Sequence, residues 1–222
     1  MKLLKSLFAF SFFYWFAALQ SEVHVMYTSA LISNDYDKRK EEYLASIEAM
    51  RSYGYEPWII EATNINSSFY DQLTDQIFYP QKNDSSLRNK GVNETMCMRG
   101  TLEHLPFQDE DIVVKLTGRY LLYKRDFLTL IENSESEYDA YVSYGKHFVG
   151  SDHIFTGCFA MRWKYFRKII EELDVERAER EYISVEQLFA EFIRDNNLRV
   201  KVVDPLNVIA RVACEGIGIL DF

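Results

Sequence analysis

The segment Asp111–Tyr120 joins an apolar run, typical of a buried strand, to a polar cluster that could bind an anion. Lys115 interrupts the run, and Thr117, Gly118 and Arg119 crowd its carboxyl end. An arginine presents a rigid fork of donors that matches phosphate or carboxylate, and glycine admits a close backbone or ligand. Because ligands of open α/β sheets bind outside the carboxyl ends of the strands, we predict an active site here. The alternative is an Arg119 that only pairs with a nearby glutamate.

A second candidate is the segment Tyr27-Thr28-Ser29, which ends the first predicted strand and is followed by a polar loop, 33–38. Small hydroxyl residues at a strand end can open a nucleotide pocket. The segment lacks the spaced glycines of dinucleotide-binding and Walker-type loops, so those two phosphate-binding classes are disfavoured. Ordinary turn chemistry at the end of a strand is the alternative.

A basic segment, Arg88–Gly91, precedes the start of a predicted helix. The free N–H groups and the dipole of a helix amino terminus favour an anion. Lys90 adds charge and Gly91 allows close approach, whereas Asn93 is a natural cap and Glu94 suits the first turn. We predict an anion contact at this segment. The alternative is a capped helix start that faces solvent.

Two segments near the end of the chain could serve an acceptor. Thr156-Gly157-Cys158 interrupts an apolar strand, where a glycine often marks close approach by a ligand. Ser184 and Gln187 have the spacing of a capping box, which explains both without a function. Glu186 lies in the first turn of the same helix. Either the dipole alone accounts for it, or its carboxylate points at a reacting hydroxyl.

Acids and histidines elsewhere resemble metal ligands. Asp109-Glu110-Asp111 comes before its strand, at the wrong end to serve a ligand at the carboxyl edge. His147, Asp152 and His153 lie in a polar loop, for which solvation is the simpler interpretation. We therefore expect no metal held by these residues, and a divalent Mn²⁺ or Mg²⁺ is kept as the alternative.

Hydrophobic periodicity predicts the elements that must position these residues. The predicted strands are 22–31, 56–62, 111–120, 138–144, 154–163 and 199–203, and the predicted helices are 37–53, 93–105, 126–132, 165–173 and 185–194, with a short helix near 70–75. Alternating strands and helices predict an α/β fold, a layered domain with a mainly parallel central sheet flanked by helices.

Composition limits the classes of function. The 222 residues are 48% hydrophobic and carry a net charge of −9, so broad binding to the nucleic-acid backbone is disfavoured. An anionic ligand therefore needs a local basic site. Cys97, Cys158 and Cys214 are odd in number and widely spaced, which fits neither a disulfide framework nor a zinc site.

The first 20 residues are predicted to lie outside the folded domain. Lys2 and Lys5 precede an apolar stretch, 7–19, that is shorter than the roughly 20 residues of a membrane span. This pattern is typical of a secretory signal peptide, so we expect an exported or secretory-pathway protein with its domain at 21–222. The alternative is an uncleaved anchor, the one case in which a membrane is a partner.

Several of these segments together resemble small bacterial and viral sugar transferases, the nucleotide-diphospho-sugar glycosyltransferases of the GT-A fold. The matching segments are Asn89-Lys90-Gly91, Glu94, Asp111–Tyr120, Thr156–Ala160 and Val185-Glu186, within residues 22–210. The part Lys-Leu-Thr-Gly-Arg-Tyr is the most specific. The chain departs from the wider fold because no Asp-x-Asp follows the strand, so the resemblance does not by itself imply a metal.

The resemblance implies a Rossmann-related GT-A fold and a site for a nucleotide-diphosphate sugar donor. Tyr27, Thr28 and Glu61 would line the nucleotide pocket. Lys90 and Arg119 would meet the diphosphate, with Arg119 as a catalytic cation.

The remaining implied residues complete the donor site and form the acceptor site. Gly91 and Thr117 lie next to the predicted cations, Thr156 and Gly157 would border the acceptor, and Glu186 would be the catalytic base. The implied activity is transfer of a sugar to a glycan or another hydroxyl acceptor. The competing prediction is a non-catalytic exported protein that binds a sugar or nucleotide in the same cleft.

Overall fold

The computed structural model describes residues 21–32, 36–144, 153–211 and 219–221. Its strands are β1 Val23–Ser29, β2 Trp58–Glu61, β3 Ile77–Phe78, β4 Ile112–Thr117, β5 Leu121–Leu122, β6 Ala140–Val142, β7 Cys158–Arg162, β8 Val200–Val202, β9 Val208–Arg211 and β10 Ile219–Asp221. Its helices are α1 Tyr36–Ser52, α2 Lys90–Arg99, α3 Asp126–Ser134, α4 Trp163–Glu172, α5 Val175–Glu181 and α6 Val185–Asp195.

The centre of the fold is a seven-stranded sheet in the order β3-β2-β1-β4-β7-β6-β8. Strands β3, β2, β1 and β4 run parallel, β7 is antiparallel to both neighbours, and β6 and β8 are parallel to each other. Strands β10, β9 and β5 form a second, antiparallel sheet. The predicted α/β fold with a mainly parallel sheet and flanking helices is therefore confirmed.

Alternation along the strands divides the core into two layers. On one face, Met26 and Val113 pack with residues of α2, α4 and α6. On the other face, Tyr27 and Val114 pack with residues of α1 and α3. Because successive side chains of a strand point to opposite faces, polar residues near the strand ends are sorted in the same way. We call the two sides the α2 face and the α1 face.

Several element bounds differ from those predicted. Helix α2 starts at Lys90 and ends at Arg99, and a 3₁₀ turn, Leu102–His104, replaces the predicted end of the helix. Strand β4 ends at Thr117, so Gly118 and Arg119 belong to the turn that follows. Pattern analysis did not predict β3, β5, α5, β9 or β10. Residues 1–20, His147, Asp152 and Cys214 lie outside the described residues. No helix among the described residues is long and apolar enough to cross a membrane.

Candidate functional site

Lys115 is the centre of a polar network at the carboxyl end of β4, on the α2 face. Its side chain is only 2% exposed. The ammonium lies 2.7 Å from Oε1 of Glu94 and donates to Oγ1 of Thr117 at 3.0 Å and to the carbonyl of Thr156 at 2.9 Å. A lysine has three N–H donors, and two of them are used by Thr117 and Thr156 while the ammonium pairs with Glu94. Lys115 therefore joins α2, the end of β4 and the segment before β7.

Glu94 connects this network to the end of β1. Its Oε1 accepts from the hydroxyl of Thr28 as well as facing Lys115, and its side chain is 26% exposed. Oε2 of Glu94 forms no hydrogen bond with any residue that the structure describes. One carboxylate oxygen is thus fixed by the protein, and the other is left for solvent or a ligand.

Glu186 ends the network on its other side. The hydroxyl of Ser184 accepts from the backbone N–H of Gln187 at 3.2 Å, so α6 starts at the predicted cap. Thr156 then donates its hydroxyl to Oε1 of Glu186 at 2.9 Å. The network therefore runs from Thr28 to Glu186, and it joins predicted donor residues to predicted acceptor residues. Its members are Thr28, Glu94, Lys115, Thr117, Thr156 and Glu186.

Arg119 lies on the α1 face. Its guanidinium is 3.7 Å from Oε2 of Glu42, which is longer than a hydrogen bond. With the described part of the chain Arg119 forms this ion pair and no hydrogen bond, although its side chain is only 13% exposed. Its fork of donors is therefore not filled by the described residues. The alternative considered from the sequence, a pair with a nearby glutamate, is present, but it is a loose one.

The other α1-face residues mainly close the loops at the ends of β1 and β2. Glu61 is fully buried and accepts from the N–H groups of Leu31 at 3.0 Å and Thr63 at 2.9 Å, as well as from the hydroxyl of Ser29. Tyr43 accepts from the N–H of Ala30 at 2.9 Å, and burial raises the pKa of its hydroxyl. Both oxygens of Glu61 are thus committed to the protein.

Tyr27 is a core residue in this structure. It is 2% exposed, and its hydroxyl donates to the carbonyl of Ser46 in α1 at 2.9 Å. Burial raises the pKa of this hydroxyl far above its ordinary value. Its neighbour Thr28 points to the other face. Period-two alternation places the side chain of Tyr27 under α1, and its part in lining a nucleotide pocket stays a prediction.

The predicted anion contact at Arg88–Gly91 is filled by the protein itself. The carboxylate of Glu179 in α5 accepts from the N–H groups of Arg88 at 3.2 Å and Asn89 at 2.9 Å. The side chain of Asn89 caps α2 by accepting from Gly91 at 3.0 Å. Asn89, not Asn93, is therefore the cap, since the helix begins earlier than predicted. Lys90 is exposed, and its ammonium forms no hydrogen bond or ion pair with any residue that the structure describes.

The glycines of the predicted site are needed for contacts within the protein. A Cβ atom at Gly118 would lie 2.9 Å from the ring of Tyr43, and one at Gly91 would lie 2.9 Å from Cγ2 of Val185. Gly157 is covered by the stacked rings of Tyr120 and Phe155. The close approach that the glycine allows is therefore explained by an aromatic pair of the chain itself, and a border with the acceptor at Gly157 stays a prediction.

The acidic triplet lies at the amino end of β4, where it was expected. Asp109 pairs with Arg167 at 3.2 Å, Glu110 with Lys164 at 2.7 Å, and Asp111 accepts from the N–H of Glu22 at 3.0 Å. Among the described residues no group of three or more His, Cys, Asp or Glu side chains could hold a metal ion.

The two described cysteines are buried thiols. Burial raises the pKa of Cys97 and of Cys158 to about 12. At neutral pH both therefore stay protonated, and neither is a nucleophile, because the thiolate is the reactive form.

The sequence did not single out Glu94 and Lys115 as site residues, although both lie in segments that resemble sugar transferases. A lysine inside a buried apolar strand almost always has a partner. That rule could have directed attention to a carboxylate on the same face, and the structure identifies it as Glu94.

Several solved structures share this fold, and three of them are transferases of the following kinds. A protein from Desulfovibrio desulfuricans G20, described as a nucleotide-diphospho-sugar transferase, aligns with a TM-score of 0.51 and 13% identity over 83% of this chain and 80% of its own. A glycosyltransferase involved in glycosylation of the major capsid of PBCV-1 aligns with a TM-score of 0.51 and 12% identity over 82% of each chain. The glycosyltransferase GlyE of Streptococcus pneumoniae TIGR4 aligns with a TM-score of 0.52 and 10% identity. The alignment covers 83% of this chain but only 46% of GlyE.

Neither a family model nor a curated protein matches the chain. At identities of 10–13% the structural likeness establishes the fold alone, which is the GT-A-like fold of nucleotide-sugar transferases.

Proposed function

We propose that this protein is a glycosyltransferase that moves a sugar from a nucleotide-diphosphate donor to a hydroxyl acceptor. The observation that carries the proposal is the network from Thr28 through Glu94, Lys115 and Thr156 to Glu186. It lies at the carboxyl edge of the sheet, where ligands of this class of fold bind. Burying the ammonium of Lys115 costs desolvation energy, so a network built around it at this edge favours a function there.

Glu186 is the proposed base. The hydroxyl of Thr156 holds one of its oxygens at 2.9 Å, and the other can accept the proton of the acceptor hydroxyl. In the transfer, the acceptor oxygen forms a bond to the anomeric carbon, the bond from that carbon to the diphosphate oxygen breaks, and the proton passes to Glu186. Thr156 would border the acceptor and fix the direction of the carboxylate.

Arg119 is the proposed cation for the leaving diphosphate. Its donors are not filled by Glu42 at 3.7 Å, so a phosphate can take two of them in the bidentate geometry that arginine favours. Lys90, exposed at the start of α2 beside Gly91, could add charge from the other side of the edge. Thr117 and the backbone next to Thr28 would border the nucleotide. Positioning and cationic stabilisation would then supply most of the rate enhancement.

The partners and location belong to the same proposal. The donor would be a nucleotide-diphosphate sugar and the acceptor a glycan or another hydroxyl compound, with no role for nucleic acid. Residues 1–20 would direct export. A divalent metal is not required by the proposed cations, and Asp109 and Glu110 form ion pairs at the other end of β4.

A thermal-shift screen tests this function. The ligands are UDP, GDP, UDP-glucose, UDP-galactose and GDP-mannose, each with and without Mn²⁺, because a ligand that binds the native state raises its melting temperature. We expect at least one nucleotide and its sugar conjugate to raise it. Release of nucleoside diphosphate on addition of a glycan then separates a transferase from a binding protein. No response to any ligand would refute the proposal.

A further inference from the structure

The carboxylate of Glu94 is held in one orientation by the protein. Lys115 can only donate, so the oxygen that faces it must be an acceptor, and Thr28 donates to the same atom, Oε1. The ammonium is buried and has no spare donor, because Thr117 and Thr156 take the other two. Lys115 is therefore a positioning residue that cannot contact a ligand without breaking this network.

The second oxygen of Glu94 faces the other way. The side chain is 26% exposed, and Oε2 is not committed to any part of the chain that the structure describes. An ionised carboxylate is only an acceptor, so whatever binds this oxygen must be a donor. A phosphate has no such donor and would be repelled. A hydroxyl group of a sugar ring is a suitable donor.

We propose that Glu94 is a binding residue for hydroxyl groups of the sugar-bearing ligand, oriented for that role by Lys115. The inference rests on the proposed function and names the chemistry that this part of the site recognises. Two parts of a nucleotide sugar carry such hydroxyls, the ribose and the transferred sugar. Both are neutral at this point, in contrast to the diphosphate assigned to Arg119, and the experiment below separates them.

The variant Glu94→Gln tests the proposal at nearly constant shape. Lys115 still requires an acceptor, so the amide oxygen must occupy the inner position and the NH₂ group must take the outer one. The ligand then meets donors where it met a charged acceptor. A hydrogen bond to a charged group is worth enough that its loss should weaken binding about tenfold to a hundredfold.

Calorimetric titration of wild type and variant is done with the nucleotide and the nucleotide sugar that shift the wild-type melting temperature. The control is Glu103→Gln, an exposed glutamate of the 3₁₀ turn after α2. We expect unchanged binding for the control. A loss in Glu94→Gln with both ligands assigns the ribose, and a loss with the nucleotide sugar alone assigns the transferred sugar.

Two outcomes contradict the proposal, and they are distinct. If the wild type binds a ligand and the affinity of Glu94→Gln is within twofold of the wild-type affinity, the role of Glu94 is overturned and the proposed function stands. Wild-type protein that binds no ligand of the panel overturns the function and this role with it. If Glu94→Gln fails to fold, Glu94→Asp is the second variant: it keeps the charge near Lys115 but draws the carboxylate back by one methylene from the ligand, and it should bind about tenfold more weakly.

Discussion

The guanidinium of Arg119 lies 3.7 Å from the carboxylate of Glu42, too far for a hydrogen bond yet close enough for charge pairing. Helix α1 therefore supplies a counter-charge to the turn after β4 without filling the donors of the arginine. A guanidinium held in this way is already oriented but can still bind a phosphate.

Arg119→Lys should weaken binding of a nucleoside diphosphate about tenfold, because the charge stays and the planar fork is lost. The melting temperature without ligand should change by about 2 °C or less, since a pair at 3.7 Å adds little to stability. Calorimetry and thermal unfolding measure the two quantities. The matched control is Arg125→Lys, an exposed pair with Glu132, which should bind like wild type. If Arg119→Lys unfolds the protein and the wild type has no affinity for nucleotides, Arg119 is a structural residue.

Lys115→Met should lower the free energy of unfolding by about 2–4 kcal/mol. The substitution leaves Glu94 without its counter-charge and leaves Thr117 and the carbonyl of Thr156 without a donor. Denaturation in urea measures the loss. Lys164→Met is the control, because its pair with Glu110 is exposed to solvent and should be worth less than about 1 kcal/mol. Equal losses in the two variants would show that the buried network adds no special stability.

Gly118→Ala should lower the free energy of unfolding by about 1–3 kcal/mol, the usual cost of an overpacked core. The new Cβ would lie 2.9 Å from two ring atoms of Tyr43 and 3.1 Å from the carbonyl of Thr28. Gly100→Ala is the control, because its nearest neighbour is 3.0 Å away on the flexible side chain of Lys82. Chemical denaturation compares them, and a control that loses as much as Gly118→Ala would contradict the proposed ring contact.

Asp139 should contribute a pH-dependent part of the stability. The guanidinium and backbone N–H of Arg199 bind its carboxylate and lower its pKa to about 2, against the desolvation that raises it. A lowered folded-state pKa stabilises the protein above the unfolded value of about 3.9, and this stability is lost as the pH falls toward 2.

Asp139→Asn should therefore cost about 2 kcal/mol at pH 7, and the difference from wild type should shrink between pH 4 and pH 2. Urea denaturation at a series of pH values, as far down as the wild type stays folded, measures this difference. Asp195→Asn removes an exposed carboxylate and should show no such trend. A difference that stays constant with pH would disprove the assignment.

Donor binding should survive chelation. The predicted diphosphate cations are Arg119 and Lys90, and the described residues contain no group of three or more His, Cys, Asp or Glu side chains that could hold a metal in their place. Calorimetric titration of the nucleotide sugar in EDTA, repeated with Mn²⁺, should give affinities within a few-fold of each other. Binding that requires Mn²⁺ would transfer the role to other acids, and the loop with His147 would become the first candidate.

Much of the fold could be predicted because hydrophobic periodicity survives in each long element. The strands β1 and β4 and the helices α1, α4 and α6 lie within a few residues of their predicted bounds. The direction of β7 could not be predicted, because a buried strand has the same composition whether it runs parallel or antiparallel to its neighbours. The strands β3 and β5 have two residues each, too few to show alternation.

The position of the candidate residues in the fold was predictable, but their contacts were not. Thr117, Gly118 and Arg119 lie at the carboxyl end of β4 as predicted, because chain direction alone decides where a strand ends. The pairing of Lys115 with Glu94 depends on how α2 is placed, and that depends on Asn89 as cap and on contact of Gly91 with Val185. A helix that began at Asn93 would direct other residues toward β4, so the partner of Lys115 could not be predicted from the sequence. Tyr27 and Thr28 were predicted to line one pocket, but their side chains lie on opposite faces of the sheet because adjacent residues of a strand alternate.

Glu179 makes the two sides of the sheet edge differ in charge. Its carboxylate already accepts from the backbone N–H groups of Arg88 and Asn89, so these two groups are not open to an anionic ligand. A diphosphate that approaches the α2 face meets carboxylates, and on the α1 face it meets Arg119. Local fields of this kind orient a charged ligand during its approach. We therefore expect a nucleotide sugar to enter in one direction only, with its phosphates toward α1 and its rings toward α2.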